Sequence, residues 1–492
     1  MGGVKKQGTA AGANPRSLYT WPMWKYLVWL LGWPLGLAGQ PVSVWEPPAF
    51  AADAYATAAP EVVPGSGDTF FYLQDLFKLR DRRWSGTWLV QLRPRPPRVF
   101  GQASEGLDLV SQTPVDAPHA QRPTHLRLLR LASSLAVVGR LPDPQFDGPR
   151  AVVQFFDLKG QPMGPLQTLS CYYNESAAGW WDTLLVAAGG ERLVWWGENR
   201  QDLPARRRTF VSVFADGGRL QWQHEVRWPR TDHTVGSLTV DRHNTLYLLL
   251  DPVGSTSRHR LLAYEPRQKV FSSSDLHWPA PVAWQAALTL DARGLPVVGA
   301  VLGHAVDAGL RNGTEGWVSW SLFRWVAAPG GVRLLDSLTV PLADSLRERY
   351  CRGSRFRLDG FRIAGEVLLW SWSEPQGDLL TLAFDLEERG PQLRWSAALF
   401  RRGGQLLAHE TLPAACLRLY TEATDPAGSF RLWRIDRATG RSRRQLVQPA
   451  GVPGFGLAGG AALTESRAWI LPLAGRAGTA GYRLLHYPLP NP

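Results

Sequence analysis

Apolar and polar positions along this chain alternate in short runs and do not recur at every third or fourth residue. One complete unit lies between residues 206 and 251. Phe210 to Phe214 alternates bulky and small side chains, Asp216-Gly217-Gly218 reverses the chain, and Leu220 and Trp222 resume the alternation, which spells a β-hairpin. A second hairpin follows: Leu238 to Val240 is a strand, Asp241-Arg242-His243-Asn244 turns, and Leu246 to Leu250 returns. Four short strands cannot bury both faces of their own sheet, so copies of the unit must stack.

Two kinds of turn mark those copies. One kind falls near Arg95, Lys159, Gly217, Arg267, Gly330, Glu388 and Ala438. The other falls near Ser134, Gly190, His243, Arg293, Ala364, Pro413 and Ser466. Alternation of the two at a period of roughly 50 to 64 residues is the mark of radially repeated four-stranded antiparallel sheets. The expected fold is therefore all-β: a β-propeller of seven four-stranded blades, with six or eight as alternatives. The last unit runs from Ala461 to Tyr487 and lacks an outer strand, which is expected from the N-terminal region within Thr69 to Phe100. No long amphipathic helix interrupts the strands; Asp344 to Tyr350 is the best short candidate.

The ends of the chain read differently. Residues 1–39 hold Lys5, Lys6, Arg16 and Lys25, no acid, and the apolar run Tyr26 to Ala38, the pattern of an export signal cleaved near Gly39. That run is short for a bilayer span and broken by Gly32, Pro34 and Gly36. A lipid anchor is not expected, because Gln40 stands where the lipid-bearing cysteine would be. Residues 40–68, rich in Pro and Ala, read as a linker, which leaves 69–492 for the propeller. The expected product is exported (periplasmic, cell-surface or secreted), monomeric, and without stable membrane insertion after cleavage.

With 45% hydrophobic and 20% charged residues the chain is globular and able to bury a large core. Only Cys171, Cys351 and Cys416 are present, so neither a disulfide scaffold nor a paired zinc motif is built in. The formal charge is +12, yet six of the 54 basic residues are lysine and the rest arginine, scattered along the chain. Scatter argues against nucleic acid as a partner and fits attraction to an anionic surface or polysaccharide better.

The segment Thr209 to Trp222 resembles the repeat of bacterial β-propellers of the SBBP type, aromatic-Val-x-x-aromatic-Asp-x-x-Gly-x-x-x-Trp. Leu238 to Tyr247 is similar to that family's other hairpin, Val-Asp-x-x-Gly-Asn-x-Tyr, shared with NHL-type propellers, with His243 in place of the usual glycine. Leu288 to Val297 keeps the Asp and Gly of the pattern without its Tyr. The resemblance implies an exported bacterial propeller and no particular reaction.

Candidate chemistry is sparse. Most tryptophans, among them Trp195, Trp196, Trp222, Trp320, Trp325, Trp370, Trp372, Trp395 and Trp433, are expected to pack between blades. Trp180, Trp181, Asp182 and Trp284 precede inner strands, where a propeller exposes side chains at its channel mouth, and with Asp232 and His233 they form the predicted ligand site. His224, His233 and His243 have no metal-ligand spacing, and neither a metal, a cofactor nor a catalytic residue is expected. Asn174 and Asn312 stand in N-glycosylation acceptor triplets.

The long connections carry Asp251, Glu374 and Asp425 among other acids, while the short turns carry Arg267, Arg437 and other bases. A disc with one acidic and one basic face is the expectation. The reading is a ligand- or protein-binding module at one face, the ligand a carbohydrate or an envelope protein, without catalysis. The alternatives are a polysaccharide hydrolase or lyase working through paired carboxylates, and a structural envelope protein.

Overall fold

The computed structural model describes residues 43–45, 54–78, 80, 83–95, 107–116, 122–141, 150–169, 180–199, 209–226, 233–252, 259–276, 282–304, 317–328, 331–341, 357–364, 366–373, 379–399, 406–411, 415–420, 422, 430–447, 455–457, 462–463, 468–475 and 482–488. Within them the chain is a β-propeller. Seven antiparallel four-stranded blades follow one another: I (54–114), II (124–168), III (180–226), IV (233–275), V (282–339), VI (357–399) and VII (406–447). Each is a plain meander, first strand paired to second, second to third, third to fourth.

Burial follows that order. Second and third strands are largely covered on both faces, as in Val367–Ser373 and Leu379–Glu387 of blade VI, whereas the fourth strand Val270–Asp275 is half-buried or exposed throughout and Leu220–Val226 buries only Trp222 and Val226. First strands of neighbouring blades meet one another, which puts them innermost. The space between blades is filled by wide aromatic rings. All nine tryptophans expected there are buried, and at the joint of blades V and VI Trp320 meets Trp372 edge-on at 4.5 Å between centroids. Arg324 is wholly buried in blade V because its guanidinium hydrogen-bonds the Asp336 carboxylate.

Two expectations about the N-terminal segment are corrected. Residues 40–68 are not a bare linker: Ser43–Trp45 and Ala54–Pro64 are strands, the second being the innermost strand of blade I, turned at Ser66-Gly67 onto Phe70–Lys78. Nor does the closing strand come from within Thr69 to Phe100, whose described residues belong to blade I. Ser43–Trp45 closes the chain by pairing with Tyr482–Pro488, Val44 opposite Leu485. The two ends of the described chain thus form a further sheet with Phe455–Leu457, Ala462–Leu463 and Ala468–Gly475. It packs on the innermost strand of blade I, and Leu484 is buried among Val62, Phe70 and Tyr72. The tight turn near Arg95 therefore belongs to blade I, and its missing partner, the turn at Ser66-Gly67, was hidden in the segment read as linker.

The tight turns are built on one device. Asp157, Asp241 and Asp291 each accept two backbone N–H bonds through Oδ1, from the residues two and four positions on. The chain then needs a left-handed residue three positions after the aspartate, supplied by Gly160, Asn244 and Gly294. Asn244 (φ 70°), and not His243, therefore fills the glycine position of the hairpin.

Residues 1–40 lie outside the described residues, with Asp344 to Tyr350, Cys171, Cys351, Asn174 and Asn312. Cys416 is a buried thiol between blades VI and VII. No helix among the described residues is long and apolar enough to cross a membrane.

Candidate functional site

In a four-stranded meander the first-to-second and third-to-fourth turns share one end of the blade. Hydrogen bonds across blades confirm that they share a face here. Ser133, in the first turn of blade II, donates through N and Oγ to Asp216, in the last turn of blade III, at 2.6 and 2.7 Å. Arg192 of blade III donates to Asn244 Oδ1 and Arg242 O in the first turn of blade IV, and Trp395 of blade VI to Arg437 O in blade VII.

The basic character expected of this face is corrected. Asp157, Asp216, Asp241, Asp291 and Asp436 sit in these same turns, because an aspartate there caps backbone N–H groups, and they offset the arginines. The face is occupied with holding blades together.

The opposite face receives the long connections. There the innermost strands share an irregularity: each of blades IV to VII has one residue bulged out of register with the second strand. The bulged residues are Gly236, Trp284, Asp359 and Leu407. A bulge next to a rim re-aims the side chains around it. In blade IV its consequence is visible. A Cβ on Gly236 would lie 2.3 Å from Asp251 Oδ2, so only glycine leaves room for that carboxylate against the innermost strand. Asp251, paired with Thr234, stands at the end of blade IV opposite the turn that carries Arg267.

Beside it is His259, 6% exposed, whose Nε2 lies 3.3 Å from Asp251 Oδ1 without the alignment of a hydrogen bond. His259 is fixed from behind, its carbonyl accepting the N–H of Leu276. Asp251 Oδ1 is shut off from solvent, yet the side chain as a whole is 42% exposed. The arrangement offers a carboxylate acceptor, backed by a buried imidazole and opened to solvent over an exposed glycine.

The sequence-predicted site residues are placed as follows. Trp180 and Asp182 lie in the innermost strand of blade III, paired with Asn199 and Gly197, and Trp284 is the bulged residue of blade V. They lie inside their strands and not before them, because pairing starts earlier than the alternation suggests. His233 opens the innermost strand of blade IV, opposite Pro252, and is buried. Asp232 lies outside the described residues. Trp180, Asp182, His233 and Trp284 thus fall near the long-connection ends of three successive innermost strands.

Sequence reasoning passed over Gly236 and His259. A glycine inside an alternating strand pattern was the available signal for the first; the second has none, since its meaning comes from Asp251 across the sheet. Among the described residues no cluster of three or more His, Cys, Asp or Glu could hold a metal ion.

No family model matches the chain, and no curated protein matches it. Solved structures do. The β-propeller domain of the Trilobed protease from Pyrococcus furiosus matches over 82% of this chain and 99% of its own, at 11% identity and a TM-score of 0.35. A putative 6-phosphogluconolactonase from Bacteroides fragilis matches over 81% and 95%, at 12% identity and a TM-score of 0.34. A match in a study of two prolyl endopeptidases covers 86% of this chain and 55% of that one, about half its length, at 12% identity and a TM-score of 0.39. Likeness at this level carries no chemistry across.

Proposed function

We propose that the chain is an exported binding module that takes a hydroxyl-rich ligand, a carbohydrate, on its long-connection face without transforming it. The observation that carries the reading is the Asp251 carboxylate, seated against Gly236 and opened to solvent beside buried His259. A carboxylate accepts hydrogen bonds only, and sugar hydroxyls donate them. Trp180, Asp182, Asp232 and Trp284 make up the rest of the proposed surface, the tryptophans serving as stacking platforms, and His233, which is buried, supports it. Export rests on the basic leader and short apolar run of residues 1–39.

A glycan array followed by calorimetry on the hits tests this. Asp251→Asn, which keeps shape and removes charge, should weaken the selected glycan by about tenfold to a hundredfold, the loss of one charge-assisted hydrogen bond. Gly236→Ala should weaken it comparably, since the new methyl displaces the same carboxylate. Release of new reducing or unsaturated ends from the bound glycan would replace this reading with an enzymatic one. An array without saturable hits, or unchanged affinity in both variants, would end it.

A further inference from the structure

The outer strand of blade VII is Ser442–Val447. Residues 441 to 446 are all exposed, and they include Arg441, Arg443 and Arg444. The outer strands of blades I, III, V and VI carry a bulge, placed at Val110, Gln221, Leu335 and Arg394, whereas those of blades II and IV do not. The strand 442–447 has none and pairs in unbroken register with Phe430–Asp436.

In that register Arg443 stands directly opposite Arg434. Strand alternation brings Arg441 to the same face, while Arg444 takes the other and reaches Tyr420. Like charges directly opposite one another destabilise a sheet, so edge protection does not account for the pair, since one charge would serve. The charge of Arg434 is felt by nearby Asp436. Among the described residues no carboxylate pairs with Arg441 or Arg443. Nearby Asp436 gives its Oδ1 to Thr439 N and Oγ1, at 2.8 and 2.7 Å, which holds its carboxyl below the usual range, and Glu422 pairs with Arg431.

We propose that Arg434, Arg441 and Arg443 form a binding strip for an anionic polysaccharide bearing sulfate or carboxylate groups, on the rim of blade VII and separate from the long-connection site. The planar guanidinium fork matches those groups bidentately. A narrow strip along one strand edge suits a linear polymer laid along it. A membrane would need a broad basic face, and the short-turn face, threaded with aspartates, is not one.

The test uses the full chain and a heparin oligosaccharide of defined length, a sulfated uronate polymer, with neutral dextran of similar length as comparison. Heparin should bind and dextran should not, with affinity falling as salt rises. Arg441→Gln/Arg443→Gln should lose about tenfold or more in heparin affinity. Its melting temperature should hold or rise, because the Arg434–Arg443 repulsion is gone. Arg219→Gln/Arg267→Gln, exposed turn arginines of blades III and IV, makes the same change in net charge and should leave binding intact. So should Asp251→Asn, which separates this strip from the site proposed above. Equal loss in the Arg219/Arg267 variant would reduce the effect to net charge and overturn the proposal. So would wild-type affinity in the Arg441/Arg443 variant. Duplex DNA or anionic vesicles binding as tightly through the same two arginines would overturn the assignment to polysaccharide.

Discussion

Single residues set the turns, and the turns set the blades. Gly218 shows how narrow the tolerance is: its φ is +89°, and a Cβ there would lie 2.6 Å from Phe155 Cδ2 in the preceding blade. Gly217, at φ +86°, would meet only Met163 Cε at 3.4 Å. Gly218→Ala should therefore cost more than about 2 kcal/mol and Gly217→Ala about 1 kcal/mol, the backbone contribution alone, by urea unfolding. Titration follows the same local logic. Burial first, and then Asp241, push the Tyr247 phenol up to about 12. Folding thus favours the protonated ring, and the stability it lends is whole below about pH 10 and is lost as pH rises from there toward 12. Ultraviolet difference titration should show Tyr247 among the tyrosines that ionise late, with Tyr264 and Tyr420 also raised by burial. Asp241→Asn should bring Tyr247 earlier without normalising it, since burial remains. His224 works in the other direction. Burial, and next the charge of Lys269, hold its imidazole below the usual value, beside Tyr264 OH at 2.9 Å. Its contribution is present above the unfolded value near 6.5 and fades as pH falls below it.

At the scale of the element, irregularity is what separates working edges from structural ones. Bulges on the innermost strands lie toward the long connections, and those on the fourth strands protect an edge that would otherwise invite pairing. Where blades IV and V adjoin, Ser274 both donates to Val332 O and accepts from Val332 N at 2.9 Å, satisfying one residue of the next outer strand completely. The regular strands between these points differ chiefly in which aromatic ring they carry into the joint.

For the whole molecule, the decisive contact joins the two ends. Leu484 is fully buried in the core of blade I, so Leu484→Ala should cost about 2–5 kcal/mol although it lies eight residues from the last residue of the sequence. Removing residues 41–46 should unpair the strand Tyr482–Pro488 and lower the melting temperature as well. If calorimetry finds both variants as stable as the parent, the terminal sheet does not close the structure.

The sequence by itself determined the all-β class, the two alternating turn types and the interior place of the tryptophans. All of these rest on local signals: the two-residue alternation, the aspartate turn and the bulk of a ring. It misread residues 40–68, because Ser43–Trp45 is very short and Ala54–Pro64 is rich in Ala and Pro, and the two look like strands only once Tyr482–Pro488 and Phe70–Lys78 offer their backbone groups. It also credited the short turns with a basic surface, since the arginines are visible in a sequence and the backbone N–H groups that occupy the aspartates are not. Only tertiary structure decided the pairing of the ends, the burial of His259 and the facing of Arg434 and Arg443. Each depends on register between segments that the sequence holds apart, and a one-residue slip in register would send every side chain to the other face.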